Sequence, residues 1–149
     1  MLALFLLGLV GWVEDDLAKE RGQFVGDWMI VETIKDGEVV KEALGGKTVL
    51  SFKADGTYLG LVGESVIGKG TYQPVPGTKP AAVDWTAAGR QEYDGKFTKE
   101  YPSVGIYRFE GDILTLVLKR EAPASERPGS FECKPGSGWY LLRLKKVKK

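Results

Sequence analysis

The residues whose types are best suited to hold a ligand lie together in one short segment, RPGSF at residues 127–131. A guanidinium beside a rigid turn, with backbone amides exposed nearby, can bind a carboxylate or a sulfate. The alternative is structural: Arg127 pairs with Asp84 or Asp112, and the loop closes one end of the domain. The sequence favours the structural role for Arg127 and leaves anion binding open.

Asp84 is the acid with the most apolar neighbours, because Val83 and Trp85 flank it in a strand-like run. Such a carboxylate either accepts hydrogen bonds from a turn or an arginine, or takes part in proton transfer. Glycoside hydrolysis would need a second carboxylate at a defined separation. No spacing singles one out among the other candidates, Glu64, Glu92 and Asp94. Structural pairing of Asp84 is the favoured interpretation.

Composition excludes several kinds of chemistry. The 149 residues include no histidine and one cysteine, Cys133, which we interpret as a small buried hydrophobe. An intrachain disulfide, metal sites built from His and Cys, and Ser-His-Asp or Cys-His catalysis are therefore excluded. The net charge of +1 argues against general nucleic-acid binding. We expect a monomer that is not an enzyme, with no cofactor, no metal and no nucleic-acid partner.

Aromatic side chains recur along the chain and are able to line an apolar cavity. The residues that we select as ligand-binding candidates are Tyr72, Trp85, Tyr107, Arg127 and Phe131. The interior of a small β-barrel is either filled by side chains or holds one small ligand. Both cases need inward apolar residues, so the sequence leaves this choice open.

These residues need strands to position them, and the clearest strand pair is at 104–118. Residues alternate with period two on both sides of a turn at 110–112, as expected for a β-hairpin. Leu114, Leu116 and Leu118 form the more uniformly apolar face. We therefore predict that this face meets the core.

The remaining chain predicts further antiparallel strands around this hairpin. A short helix at 17–22 precedes strands at 24–34, 38–40, 47–53, 57–62, 66–75, 82–86 and 138–147, and residues 130–133 pair briefly. Residues 87–102 form a long polar excursion. Short strands in sequential hairpins predict an all-β fold, an eight-stranded antiparallel up-and-down barrel with a short N-terminal helix.

Gly26-Asp27-Trp28 on the first strand and Arg143 on the last resemble the lipocalin pattern, in which an arginine covers the tryptophan at the closed base of the barrel. Barrel closure makes the first and last strands neighbours. The resemblance implies that Gly26, Trp28 and Arg143 close the barrel, with the guanidinium over the indole in a cation–π contact.

Residues 24–145 also resemble a lipocalin-like domain family of unknown function that is abundant in planctomycete proteins. The matching features are Gly26-x-Trp28, Gly70-x-Tyr72, Pro80-x-x-Val83-Asp84, Gly105-Ile106-Tyr107, Gly111-Asp112-x-Leu114, Arg127-Pro128-x-x-Phe131 and Leu144-Lys145. The resemblance implies a lipocalin-like fold and an exported or membrane-linked context. It brings no established activity or catalytic residue.

The apolar run at residues 1–13, MLALFLLGLVGWV, has the length of the hydrophobic region of a secretory signal. It lacks a preceding Lys or Arg and an A-x-A-like cleavage site. We favour a signal-peptide remnant over a helix that packs on the domain. The predicted organisation is a leader at 1–13, a linker with a short helix at 14–23, and a barrel domain at 24–149. We expect export to the periplasm or beyond, and a cytoplasmic protein if the leader is not a signal.

Three functional hypotheses follow, from different classes. The leading one is non-catalytic binding of an apolar or amphipathic small molecule. The alternative is an exported interaction or structural module with a filled core, which meets a protein or envelope partner at loops 87–102 and 122–129. The third is a weak carboxylate-based hydrolase. An apolar void of a few hundred Å³ would favour the first over the second.

The leader gives the first testable prediction. Because the run at 1–13 lies outside the strand pattern and is followed by three acids, deleting it should leave the melting temperature within a few degrees. Thermal unfolding followed by circular dichroism measures this. A truncated chain that no longer folds would show that the segment packs on the barrel.

Overall fold

The computed structural model describes residues 16–40, 47–90 and 94–148, so the predicted leader at 1–13 lies outside the described residues. A helix, α1, covers residues 16–24. The strands are β1 (Gly26–Lys35), β2 (Glu38–Val39), β3 (Thr48–Phe52), β4 (Thr57–Val62), β5 (Ser65–Val75), β6 (Ala82–Gly89), β7 (Tyr101–Glu110), β8 (Ile113–Arg120) and β9 (Trp139–Lys146). Within this part of the chain, no helix has both the length and the apolar character that crossing a bilayer requires.

The strands form one closed antiparallel barrel. Each strand from β3 to β8 pairs with the next, β1 pairs with β3, and β1 also pairs with β9. The closing ladder runs from Trp28 opposite Lys146 to Lys35 opposite Tyr140. The two-residue β2 only extends one side of β1. The predicted eight-stranded, lipocalin-like all-β barrel with a short N-terminal helix is therefore confirmed.

The β7–β8 hairpin is paired along most of its length, from Ser103 opposite Arg120 to Glu110 opposite Ile113. Its turn is Gly111-Asp112, and Gly111 has φ 62°, a conformation that glycine adopts without strain. Leu114, Leu116 and Leu118 are buried in the main core, as their alternation predicts. We call the end of the barrel that holds this turn the closed end, and the opposite end, where β8 finishes, the open end.

The outer face of the same hairpin is also buried. Ile106, Val117 and Leu141 form a second cluster outside the barrel, covered by side chains from the segment between β8 and β9, including Phe131 and Cys133. The predicted brief pairing of residues 130–133 is wrong, because this segment contains no strand. A closed barrel has no free edge for another strand to join, so the segment covers the wall through its side chains.

Helix α1 fills the closed end. The sequence predicts a short helix in this region, but not that it packs into the end of the barrel. The first strand was predicted to begin at Phe24, but Phe24 belongs to the helix, and Gly26, with φ 126°, opens the strand. The Phe24 ring is fully buried. It meets four other rings at centroid distances of 4.9–5.5 Å, those of Phe52, Tyr72, Tyr107 and Phe109.

Two hydrogen bonds hold the helix in this position. The Tyr107 hydroxyl donates to Oε2 of Glu20 at 2.6 Å, and Nε1 of Trp28 donates to the Phe24 carbonyl at 2.8 Å. A single phenylalanine next to an alternating run is indistinguishable from a strand residue by periodicity. Only the packing of the helix against the barrel separates the two.

The predicted polar excursion at 87–102 is shorter than expected. Strand β6 continues to Gly89, and β7 begins at Tyr101. The small residues Ala87 and Ala88 keep pairing with β5, and a bridge joins Arg90 to Phe97. Because alanine and glycine have low strand propensity, this extension of β6 has only a weak signal in the sequence.

The predicted contact between Arg143 and Trp28 is wrong. The cation over the indole is Lys146, whose Nζ lies 4.8 Å from the ring centroid and also donates to the Val25 carbonyl at 2.7 Å. Arg143 instead donates to Oε1 of Glu32 at 3.0 Å. The reason is the period of a strand: Trp28 faces the interior, as do Leu142 and Leu144, whereas Arg143 faces outward with Leu141.

The glycine of the G-x-W pattern has a physical role in this contact. A Cβ on Gly26 would lie 2.5 Å from Nζ of Lys146. The missing side chain lets the lysine pass beside the strand to reach the indole. The pattern thus marks the closed end of this barrel, with a lysine in place of the expected arginine.

This contact predicts a coupling between Trp28 and Lys146. In a double-mutant cycle, Trp28→Leu and Lys146→Met should couple by about 0.5–1 kcal/mol in the free energy of unfolding, because each removes one partner of a partly exposed cation–π pair. Urea unfolding measures it. Arg143→Met is the matched control, and its effect should add to that of Trp28→Leu. Coupling of Trp28 to Arg143 instead would contradict the arrangement.

Candidate functional site

The open half of the barrel encloses a cavity of about 280 Å³, whereas the closed half is filled by the aromatic cluster around Phe24. Seven of the eight barrel strands contribute to the cavity wall. Its lining residues are Thr33, Leu50, Tyr58, Trp85, Ala87, Ser103, Leu118, Arg120, Tyr140 and Leu142. The lining is mainly apolar, with a few polar groups near the open end.

The cavity exists because inward positions carry smaller side chains toward the open end. On β6, Trp85 is followed two residues later by Ala87, and on β7, Tyr107 is preceded at the inward positions by Gly105 and Ser103. Alternate residues of a strand face the same side, so these positions lie one above another. Large rings fill the closed end and small side chains leave space at the open end.

Tyr58 and Trp85 form the floor of the cavity. Their ring centroids are 4.5 Å apart, and the Tyr58 hydroxyl donates to the Thr86 carbonyl at 2.8 Å. Gly70 permits this, since a Cβ there would lie 2.6 Å from the hydroxyl and would clash with the Thr86 carbonyl. Burial raises the pKa of Tyr58 well above its ordinary value, so the phenol stays protonated.

The mouth of the cavity carries positive charge. The guanidinium of Arg120, the last residue of β8, lies 4.8 Å from the ring centroid of Tyr140. Nζ of Lys35 lies 5.5 Å from the same ring. No carboxylate of the described residues is within salt-bridge distance of Arg120, and the cavity wall itself contains no Asp or Glu side chain among those residues. The mouth thus combines two cations with one aromatic ring.

Of the five ligand-binding candidates, only Trp85 lines this cavity. Tyr72 and Tyr107 belong to the closed-end cluster, and their hydroxyls are already engaged, with the Lys53 carbonyl and with Glu20. Burial raises the pKa of both phenols. These two tyrosines therefore act in packing and helix attachment.

Arg127 and Phe131 lie on the outer side of the wall. Arg127 donates to the carbonyls of Val83 and Gly105 at 2.9 and 3.1 Å, and to Oδ1 of Asp84 at 2.8 Å. The structural role favoured for both Arg127 and Asp84 is confirmed. Phe131 packs under Arg108, whose guanidinium carbon Cζ lies 4.3 Å from the centroid of the Phe131 ring. The structure does not bring these two residues together with Trp85.

Sequence reasoning missed three polar residues of the cavity: Thr33, Ser103 and Arg120. A signal for one of them was present. The inward alternation of Leu114, Leu116 and Leu118 reaches Arg120 at the next position, so the same period places this arginine on the inward side.

Two larger depressions lie on the outside of the protein. One, about 430 Å³, borders Trp28, Gly111 and Lys146 at the closed end. The other, about 590 Å³, lies over Met29 and Val49 between lysines. Both are open surface grooves, whereas the interior cavity is more enclosed and surrounded by strands. We therefore take the interior cavity as the candidate site.

Comparison of the chain with protein-family models, with curated proteins and with solved structures found no significant match. The resemblance to the planctomycete family therefore stays a prediction that rests on the motifs quoted above.

The pairing of Arg127 gives a prediction about stability. Asp84 has a side chain that is 54% exposed, so Asp84→Asn should cost less than about 1 kcal/mol in the free energy of unfolding. Arg127→Met should cost more, about 1–3 kcal/mol, because two wall carbonyls lose a charged donor. Urea unfolding of both variants measures the difference. Equal costs would show that the exposed ion pair, and not the carbonyl contacts, holds the loop.

Proposed function

We propose that this protein binds a small apolar or amphipathic molecule in the open-end cavity, without chemistry. The observation that carries the proposal is the cavity itself, about 280 Å³, inside a barrel whose other half is solidly packed. Ligand pockets are typically concave, mostly apolar, and provided with a few placed polar groups. This cavity has those three properties.

The size of the cavity limits the ligand. Typical pockets for drug-sized molecules have volumes of roughly 300–1,000 Å³, so this one is small. Since one water occupies about 30 Å³ in the liquid, the cavity accommodates on the order of ten non-hydrogen atoms. Binding of such a ligand should have a dissociation constant in roughly the micromolar to millimolar range.

The apolar part of the ligand would lie against Leu50, Trp85, Leu118 and Leu142. These residues come from four different strands and surround the cavity below its mouth. Removing apolar area from water contributes about 25 cal/mol per Å², which gives the ligand body its affinity. The polar end would lie at the mouth, where Thr33, Ser103 and Arg120 are placed.

We further propose that the protein acts outside the cytoplasm, in the periplasm or beyond. The support is the signal-like composition of residues 1–13 and the context implied by the planctomycete resemblance. Cell fractionation with N-terminal sequencing of the mature protein tests this. A cytoplasmic protein that keeps its leader would overturn it.

A second candidate function is interaction with a protein or envelope partner, and the groove over β1 and β3 favours it. Met29, Val49 and Val147 form an apolar floor, and lysines surround it, at positions 47, 145, 146 and 148. This surface would suit an acidic or anionic partner. A pull-down experiment with the wild type and with the double variant Lys145→Glu, Lys148→Glu would distinguish partner binding at this groove from ligand binding in the cavity.

Filling the cavity tests the leading proposal. Ala87→Phe places a ring in the space at the open end and should abolish binding of a small apolar fluorescent probe such as 2-naphthol, whose roughly eleven non-hydrogen atoms match the size of the cavity. The variant should remain folded, because the ring occupies existing space. Fluorescence titration of wild type and variant measures the change.

The matched control is Gln73→Phe, which adds a ring at an exposed position of β5. Probe binding should equal that of the wild type. If Ala87→Phe, folded by circular dichroism, still binds the probe as the wild type does, the probe binds elsewhere and the cavity is not the site.

A further inference from the structure

We infer that the ligand is a small monocarboxylic acid whose carboxylate is held at the cavity mouth by Arg120 and Ser103, with its apolar body inside the barrel. This inference rests on the proposed function and specifies its ligand class. It follows from three features of the mouth.

The first feature is the position of Arg120. It continues the inward row of β8 one step beyond Leu118, so its side chain extends from the apolar wall to the mouth. The Tyr140 ring, 4.8 Å away, supports the guanidinium. Among the described residues the guanidinium has no carboxylate partner, unlike those of Arg127 and Arg143. A cation held this way offers a fork of donors to an incoming anion.

The second feature is the hydroxyl of Ser103. Ser103 is directly opposite Arg120 in the β7–β8 register and lines the cavity, yet it is only 5% exposed. A serine hydroxyl both donates and accepts hydrogen bonds, so at this position, opposite the guanidinium, it can donate to the second oxygen of a bound carboxylate.

The third feature is the charge around the mouth. Lys35 adds a second cation beside Tyr140, and Glu100 is near enough for its charge to act on Tyr58 together with that of Arg120. The mouth thus combines two cations with one nearby acid, and Asp36 and Glu121 directly follow Lys35 and Arg120 in the chain, so these residues carry no strong positive excess. This balance suits a monoanion better than a doubly charged phosphate.

The class of acid follows from the volume. With on the order of ten non-hydrogen atoms available, a medium-chain or a single-ring aromatic carboxylic acid fits, and a long-chain fatty acid does not. Octanoate and its neutral amide, octanamide, have equal size and shape and differ in charge. They form a matched pair of probes.

The test is isothermal titration calorimetry of the full chain with both probes. Octanoate should bind about tenfold more tightly than octanamide, since a charge-assisted hydrogen bond is roughly twice as strong as a neutral one. Equal affinities would overturn the inference and leave the proposed function standing. Binding of neither compound would overturn both.

Variants locate the contact. Arg120→Gln should weaken octanoate binding about tenfold and leave octanamide binding within about twofold. Arg120→Lys should restore part of the affinity. Lys35→Gln removes one positive charge from the same mouth without removing a cavity-lining group, and its smaller effect should vanish at high salt. Equal losses from Arg120→Gln and Lys35→Gln would show general attraction and overturn the assigned contact.

Discussion

The pairing of β1 with β9 is the constraint on which the rest of the barrel depends. Without it the sheet would have two free edges, and neither the filled closed end nor the cavity would be enclosed. The pairing includes a bulge between Ile30 and Glu32. An extra residue in one strand reverses which of the following side chains point inward and which point outward. Glu32 thereby points outward to Arg143, and Thr33 points into the cavity. The bulge keeps the Glu32 carboxylate out of the cavity.

Side-chain volume along the barrel axis determines where it is filled and where it is hollow. The closed end contains Phe24 and the rings around it, in tilted or edge-to-face pairs that contribute about 0.5–1.5 kcal/mol each beyond burial. The open end has alanine, serine and threonine at the corresponding inward positions. Dense packing and open space thus lie at opposite ends of the barrel, so the proposed ligand would occupy one end without disturbing the packing of the other.

The barrel was predictable from the sequence because local signals agree with it. Leu114, Leu116 and Leu118 alternate with period two, and the glycine turns between strands fit short antiparallel hairpins. The predictions that were wrong concern features that depend on tertiary contacts. Periodicity does not show that Phe24 belongs to a helix. The resemblance to the lipocalin pattern does not show that Lys146, three residues after Arg143, contacts the Trp28 indole. The cavity could not be predicted from the sequence, because a filled barrel and a hollow barrel both require apolar residues at the inward positions.

Arginine shows how the face of a strand decides the role of a residue. Arg108, Arg127 and Arg143 lie on the outside of the wall, and each has a carboxylate within 3.0 Å. Arg120 belongs to the same wall but follows the inward row, and no such partner is present among the described residues. A charge placed inside an apolar barrel without a partner costs free energy unless solvent or a ligand satisfies it. Its position at the mouth leaves it accessible to water, and to the carboxylate of the proposed ligand. Among the arginines of the described strands, Arg120 is the one that the strand period turns inward, and the proposed binding site depends on it.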